Sequence, residues 1–109
     1  MKVLVTGGRN YNNASVVSRV LHTIDPSIIC QGGATGADML AAAWAVTNGI
    51  PCLTFNADWS QGKKAGIIRN QKMLDEFNPD LVVAFPGGRG TADMVRRAKE
   101  AGVEVREVE

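Results

Sequence analysis

The sequence predicts an α/β domain built on a doubly wound sheet of about five mainly parallel strands, with helices on both faces. Short β-branched runs alternate with helical patterns from one end to the other, and three of those runs lead straight into glycine-rich turns. The 109 residues leave room for one domain and one core, so residues 1–109 are read as a single unit.

The strands are expected at Lys2 to Thr6, Ser27 to Cys30, Pro51 to Phe55, Leu81 to Phe85 and Val103 to Val108. Helical stretches fall between them at 14–24, 36–48, 64–77 and 90–101. Parallel strands joined through helices cross over right-handedly, which makes a Rossmann-like topology the expected one. Asp25-Pro26 ends the first helix, because a residue before proline is pushed out of helical geometry. Thr35 and Asp38 have the spacing of a capping box at the start of the second helix, and Asn48-Gly49 closes it. The alanines of that helix, from Ala37 to Ala45, permit close approach to the sheet. Ala101-Gly102 ends the last helix.

Hydrophobic residues make up 45% of the chain and charged ones 21%, a globular rather than a disordered balance. A formal charge of +1 creates no global field toward nucleic acid or a membrane surface, so any preference for anions has to be local. The first apolar run breaks at Gly7 and is too short for a signal peptide, and nothing approaches the ~20 apolar residues of a membrane span. Cys30 and Cys52 each sit in an apolar run, as buried reduced thiols do. These features suit the cytoplasm. His22 is the only histidine and has no Cys/His cluster beside it, so neither a metal nor a cofactor is implied.

Function is concentrated in the turns. The first strand runs into Gly7-Gly8-Arg9, the second into Gly32-Gly33-Ala34-Thr35-Gly36-Ala37-Asp38, and the fourth into Pro86-Gly87-Gly88-Arg89-Gly90-Thr91. In a parallel sheet all such loops lie at the carboxyl edge, where open α/β folds bind ligands. Glycine lets backbone amides approach a ligand, and the helix that follows offers free N–H groups and partial positive charge. A phosphate-bearing ligand is therefore expected there, although neither the dinucleotide fingerprint nor a Walker loop is present. Asp38 and Asp93 lie in first turns of helices, as caps or as partners of a ribose hydroxyl.

One helix start carries the wrong charge. Lys63, Lys64 and Arg69 crowd the beginning of the third helix, where the dipole disfavours cations, and a bound phosphate would reconcile them. Arg69 is the strongest phosphate ligand of the three, with Asn70 beside it. Trp59, expected on a loop among polar residues, either stacks on a base or packs as a lid.

These motifs, with Ala57-Asp58-Trp59 and Ala65-Gly66-Ile67-Ile68-Arg69-Asn70, resemble the SLOG superfamily of Rossmann-like nucleotide-binding domains. The chain is most similar to the small YspA/YpsA-related members of that superfamily, which are common in bacteria and phages, and the likeness covers nearly all of it. The resemblance implies a nucleotide or nucleotide-derived ligand at the glycine-loop edge and a homodimer. The related LOG phosphoribohydrolases carry Pro-Gly-Gly-x-Gly-Thr-x-x-Glu, whose glutamate serves N-glycosidic cleavage together with an arginine. Arg69 matches that arginine, but the glutamate position here is Met94, which cannot accept a proton. Asp93 is one residue away, about 100° around a helix. The resemblance thus implies a sensor, carrier or sequestering protein. A hydrolase using Arg69 with Asp38, Asp58 or Asp93 is the alternative, and a ligand-free interaction module the third reading.

Overall fold

The computed structural model describes residues 1–109. Its sheet contains β1 (Lys2–Thr6), β2 (Ile28–Gln31), β3 (Cys52–Thr54), β4 (Leu81–Ala84) and β5 (Glu104–Glu107). All pairings are parallel and the spatial order is β3-β2-β1-β4-β5. The helices are α1 (Ala14–Ile24), α2 (Ala37–Asn48), α3 (Ala65–Lys72) and α4 (Arg89–Glu100). Strands are added outward from β1 first on one side (β2, β3) and then on the other (β4, β5), which makes the fold doubly wound.

Alternation along the strands supplies two cores. Val3, Val5, Ile29, Leu81 and Val83 face α1 and α2, meeting Val17, Leu21, Ala41, Trp44 and Ala45. Leu4, Cys30 and Val82 face the opposite way, toward Met73, Leu74, Phe77, Met94 and Ala98 on the α3 and α4 side. Ala37, Ala41 and Ala45 recur every fourth residue and are fully buried, so α2 lies close on the sheet. Trp44 belongs to that core, with the His22 ring edge-on to it at 5.2 Å.

Most of the expected boundaries hold to within one or two residues. Asp25 terminates α1 in a left-handed conformation (φ 55°), directly before Pro26, and Gly49 terminates α2 in the same way. The third helical stretch differs. Residues Trp59–Lys64 form a 3₁₀ turn broken at Gly62 (φ 76°), α3 follows, and Met73–Phe77 close it as a π-helical turn. Trp59 therefore opens a short helical turn rather than lying on a loop. No helix of the chain is long and apolar enough to cross a membrane.

Candidate functional site

The three glycine turns do meet at the carboxyl edge of the sheet, but they meet each other. Gly8 donates its N–H to the Pro86 carbonyl at 2.9 Å and accepts at its own carbonyl from Ala37 N–H at 3.1 Å. A side chain on Gly8 would run into the Pro86 carbonyl at 2.9 Å, and one on Gly87 would meet Gly8 N at 2.6 Å. Gly7 lies against Ala37 and Phe85. Gly36 holds φ 77° and ψ −129°, a region close to glycine-only, and presses on the Gly8 carbonyl and the Arg9 backbone. Close approach is indeed what these glycines serve, between neighbouring loops.

A cleft of about 350 Å³ opens beside this junction. Its walls are Arg9 from the turn after β1, Gly32, Gly33, Ala34 and Thr35 after β2, Asn56 and Ala57 after β3, Trp59, and Arg69 of α3. Of the expected site residues, Gly7, Gly8, Gly36, Asp38, Pro86, Gly87, Gly88, Arg89, Gly90 and Thr91 are not among its walls. Thr91 instead rests its hydroxyl against Gly87, and Gly88, Arg89 and Gly90 are exposed.

Asp38 departs from its expected role. It forms no capping box; its buried Oδ2 accepts from the N–H groups of both Gly32 and Ala34 at 3.2 Å. Thr35 donates its hydroxyl to the Arg9 carbonyl at 3.1 Å, and the start of α2 has no side-chain cap. The fully buried Gln31 accepts from Gly33 N–H at 2.6 Å while donating to the Thr54 hydroxyl at 2.7 Å. The amides of Gly32, Gly33 and Ala34 are thereby already partnered, so the β2–α2 turn is braced from within rather than held open as a phosphate cradle.

Arg69 is partly a brace as well. Its Nη1 donates to the Gly32 carbonyl at 2.6 Å and to the Phe55 carbonyl at 3.4 Å, which ties the ends of β2 and β3 together. Burial lowers the Arg69 pKa, Asp38 opposes that shift, and the like charge of Arg9 adds to it. Burial likewise raises the pKa of Asp38, against its two amide bonds and Arg69. Asn70 is buried; it accepts from Arg69 Nε at 3.1 Å and donates to the Gly90 carbonyl at 3.2 Å and to Asp93 at 3.0 Å. It joins α3 to α4 and is not a cleft residue. Asp93 also accepts from Arg96 and Arg97, both at 2.9 Å. Burial alone would raise the Asp93 pKa, but Asn70, Arg97 and Arg96 together hold it below the usual carboxylate range.

Arg9 is the uncommitted cation. Its guanidinium makes no hydrogen bond or ion pair and lies 5.5 Å from the centre of the Trp59 ring. Lys63 and Lys64 are exposed and line no part of the cleft. Asn56 and Gln31 are not singled out by the sequence. Asn56 stands directly after a strand at the ligand-binding edge, and that position was the available signal.

Five parallel strands in this order, with the cleft at their carboxyl edge, define a Rossmann-like domain. The chain belongs to the YspA, cpYpsA-related SLOG family, whose model matches residues 1–62. It is 37% identical over 119 aligned positions to the Gene 61 protein of Mycobacterium phage D29, an alignment that covers 95% of this chain and 93% of that relative. Among solved structures it is similar to UDP-GlcNAc 2-epimerase from Neisseria meningitidis bound to UDP-GlcNAc, with TM-score 0.65 and 18% identity. That likeness covers 100% of this chain and 32% of the epimerase chain, and it shows the fold.

Proposed function

We propose that the cleft binds a nucleotide or nucleotide-derived ligand and that the protein acts as a sensor, carrier or sequestering protein. The observation that carries this reading is the convergence of Arg9, Arg69 and the Trp59 ring on one cleft at the carboxyl edge of the sheet. Arg69 has the buried Asp38 as a nearby carboxylate, already occupied by backbone amides, and Arg9 adds a second positive charge beside it, so the cleft favours an anion. Trp59 is 59% exposed and offers a π-face that any base can use. The family membership, and a fold shared with an enzyme solved with a nucleotide sugar, support the same class of ligand. The cleft volume is near the lower end of the usual range of about 300–1,000 Å³, which favours a mononucleotide-sized ligand.

Binding without cleavage is the better-supported form. Met94 is in the core, Asp93 is held by three donors, and Asp38 is turned into its loop. Asp58, outside the cleft walls, accepts from Ser60 N–H at 3.1 Å and from the Ser60 hydroxyl at 2.5 Å. None of these carboxylates is a wall of the cleft, as the glycosidase alternative needs. We further propose that the protein forms a homodimer in the cytoplasm, which sedimentation and fractionation test.

A thermal-shift and calorimetry panel of nucleoside phosphates, cyclic nucleotides and ADP-ribose tests the binding reading. A saturable response is expected from at least one ligand. Trp59→Ala should weaken that ligand about tenfold, the loss of one stacked base, with little change in melting temperature. A flat panel would overturn the proposal.

A further inference from the structure

We propose that the Trp59 ring exchanges partners on binding: in the free protein it carries the Arg9 guanidinium, and in the complex it carries the base while Arg9 turns to the ligand's anionic group. This rests on the nucleotide reading and adds a mechanism of selectivity to it. Arg9 and Trp59 approach each other from segments fifty residues apart in sequence, and both are walls of the same cleft. Trp59 is the only aromatic ring among the cleft walls, and the Arg9 contact covers a face of it.

Both partners are free to move. The Arg9 guanidinium has no hydrogen bond or salt bridge that would hold it, and the residue is exposed. Trp59 begins a turn that contains no buried residue and is broken at Gly62, so shifting it disturbs no core contact. One corner of its ring lies over Gly66, where an added side-chain carbon would sit 4.0 Å away. Arg69, by contrast, is fixed by two carbonyls and Asn70 and cannot turn without releasing the ends of β2 and β3. The adaptable anion contact is therefore Arg9. Its charge is close enough to Arg69 to weigh on it, so an anion between them relieves repulsion between two cations.

The exchange makes recognition bipartite. A base without an anion must displace Arg9 from the ring and gives nothing back to the guanidinium. An anion without a base draws Arg9 away and leaves the ring bare. A nucleoside phosphate satisfies both groups at once, so selectivity for the complete ligand follows from the free-state contact.

The experiment measures affinities of the common ribonucleoside 5′-monophosphates, the matching nucleosides and inorganic phosphate for the wild-type protein, Arg9→Ala and Arg9→Lys. Monophosphates are read by calorimetry. Nucleosides and phosphate are read by the Trp59 indole N–H resonance, which follows millimolar binding. Arg9→Ala should weaken the monophosphate about tenfold or more, the loss of a charge-assisted contact. The same change should tighten the nucleoside about two- to fivefold, the size of the exposed cation–π contact it removes. Arg9→Lys, which keeps the charge and a weaker cation–π contact, should retain much of the monophosphate affinity and tighten the nucleoside less than Arg9→Ala does. If monophosphate binds but the nucleoside is unchanged or weaker in Arg9→Ala, the exchange is wrong and the nucleotide site stands. If no monophosphate binds the wild-type protein, the exchange as stated falls, and the nucleotide reading falls with it only if the wider panel is flat as well.

Discussion

Met94→Glu is expected to cost about 3–5 kcal/mol of stability and to release no free base from any nucleoside monophosphate. The position matches the glutamate of the LOG hydrolases in sequence, and restoring that residue is the natural attempt to recover cleavage. In this chain, however, Met94 is fully buried among Leu4, Cys30, Met73, Leu74, Phe77, Val82 and Ala98. A carboxylate there would lose its hydration among apolar neighbours. It would protonate at that expense or open the α3–α4 layer, and neither outcome brings it to the cleft walls. Met94→Leu, which nearly conserves volume, should cost less than about 1.5 kcal/mol and serves as the control for the substitution itself. Urea unfolding gives the stabilities, and chromatography of incubated nucleotides gives the base release. A Met94→Glu protein that unfolds at the wild-type midpoint and liberates base would place this position in the site rather than the core.

The contrast between Met94 and Asp38 illustrates which parts of the molecule were legible in the sequence. Strand and helix positions were, because β-branched runs and helix-period patterns are local signals and the terminators Asp25-Pro26, Asn48-Gly49 and Gly102 act through their own backbone geometry. The carboxyl-edge placement of the glycine turns followed from parallel connectivity alone. The partner of each glycine did not follow. Gly8, Gly36 and Gly87 need an absent side chain because another loop lies there, and a ligand in the same place would demand the same residue. Sequence shows that something comes close, without showing what.

Side-chain direction was the second blind spot. Asp38 in a first helical turn reads as a cap, but whether its carboxylate bends forward to the helix or back to the preceding turn depends on the path of Gly32–Gly36, which only the folded loop defines. Arg69 and Asn70 suffer the same ambiguity: adjacent polar residues in a helix near the ligand-binding edge look like ligand contacts, and here they partner backbone carbonyls of other segments. Arg9 was one of many candidates in sequence. It stands out only once the fold shows that Arg69 is engaged and that Lys63, Lys64 and Arg89 lie away from the cleft.

Asp38→Ala should destabilise the protein by about 2–4 kcal/mol, the cost of leaving buried donors unpaired beside a cation without its counter-charge. Two N–H groups, of Gly32 and Ala34, lose their acceptor, and Arg69 loses the neighbour that offsets its burial. Because Gly32 and Ala34 are walls of the cleft, ligand affinity should fall with stability. Asp38→Asn separates acceptor from charge, since its oxygen can still receive both amides, and should cost only about 1 kcal/mol near neutral pH. The pH dependence gives the test its sign. Burial places the folded-state pKa of Asp38 above its unfolded value, so the native state binds more protons in the interval between them. Stability contributed by this group is therefore complete below that interval and is lost as pH rises through it. The advantage of wild type over Asp38→Asn should shrink as pH climbs from the ordinary carboxylate value toward neutrality. Asp93, whose pKa is depressed, acts in a separate window, losing its contribution only as pH falls below the ordinary value. Urea midpoints of wild type and Asp38→Asn across the acid range measure the difference directly. An advantage that grows with pH would mean that the pairing with Arg69 and the amides outweighs burial, and that Asp38 holds the turn as a favourable ion rather than at a cost.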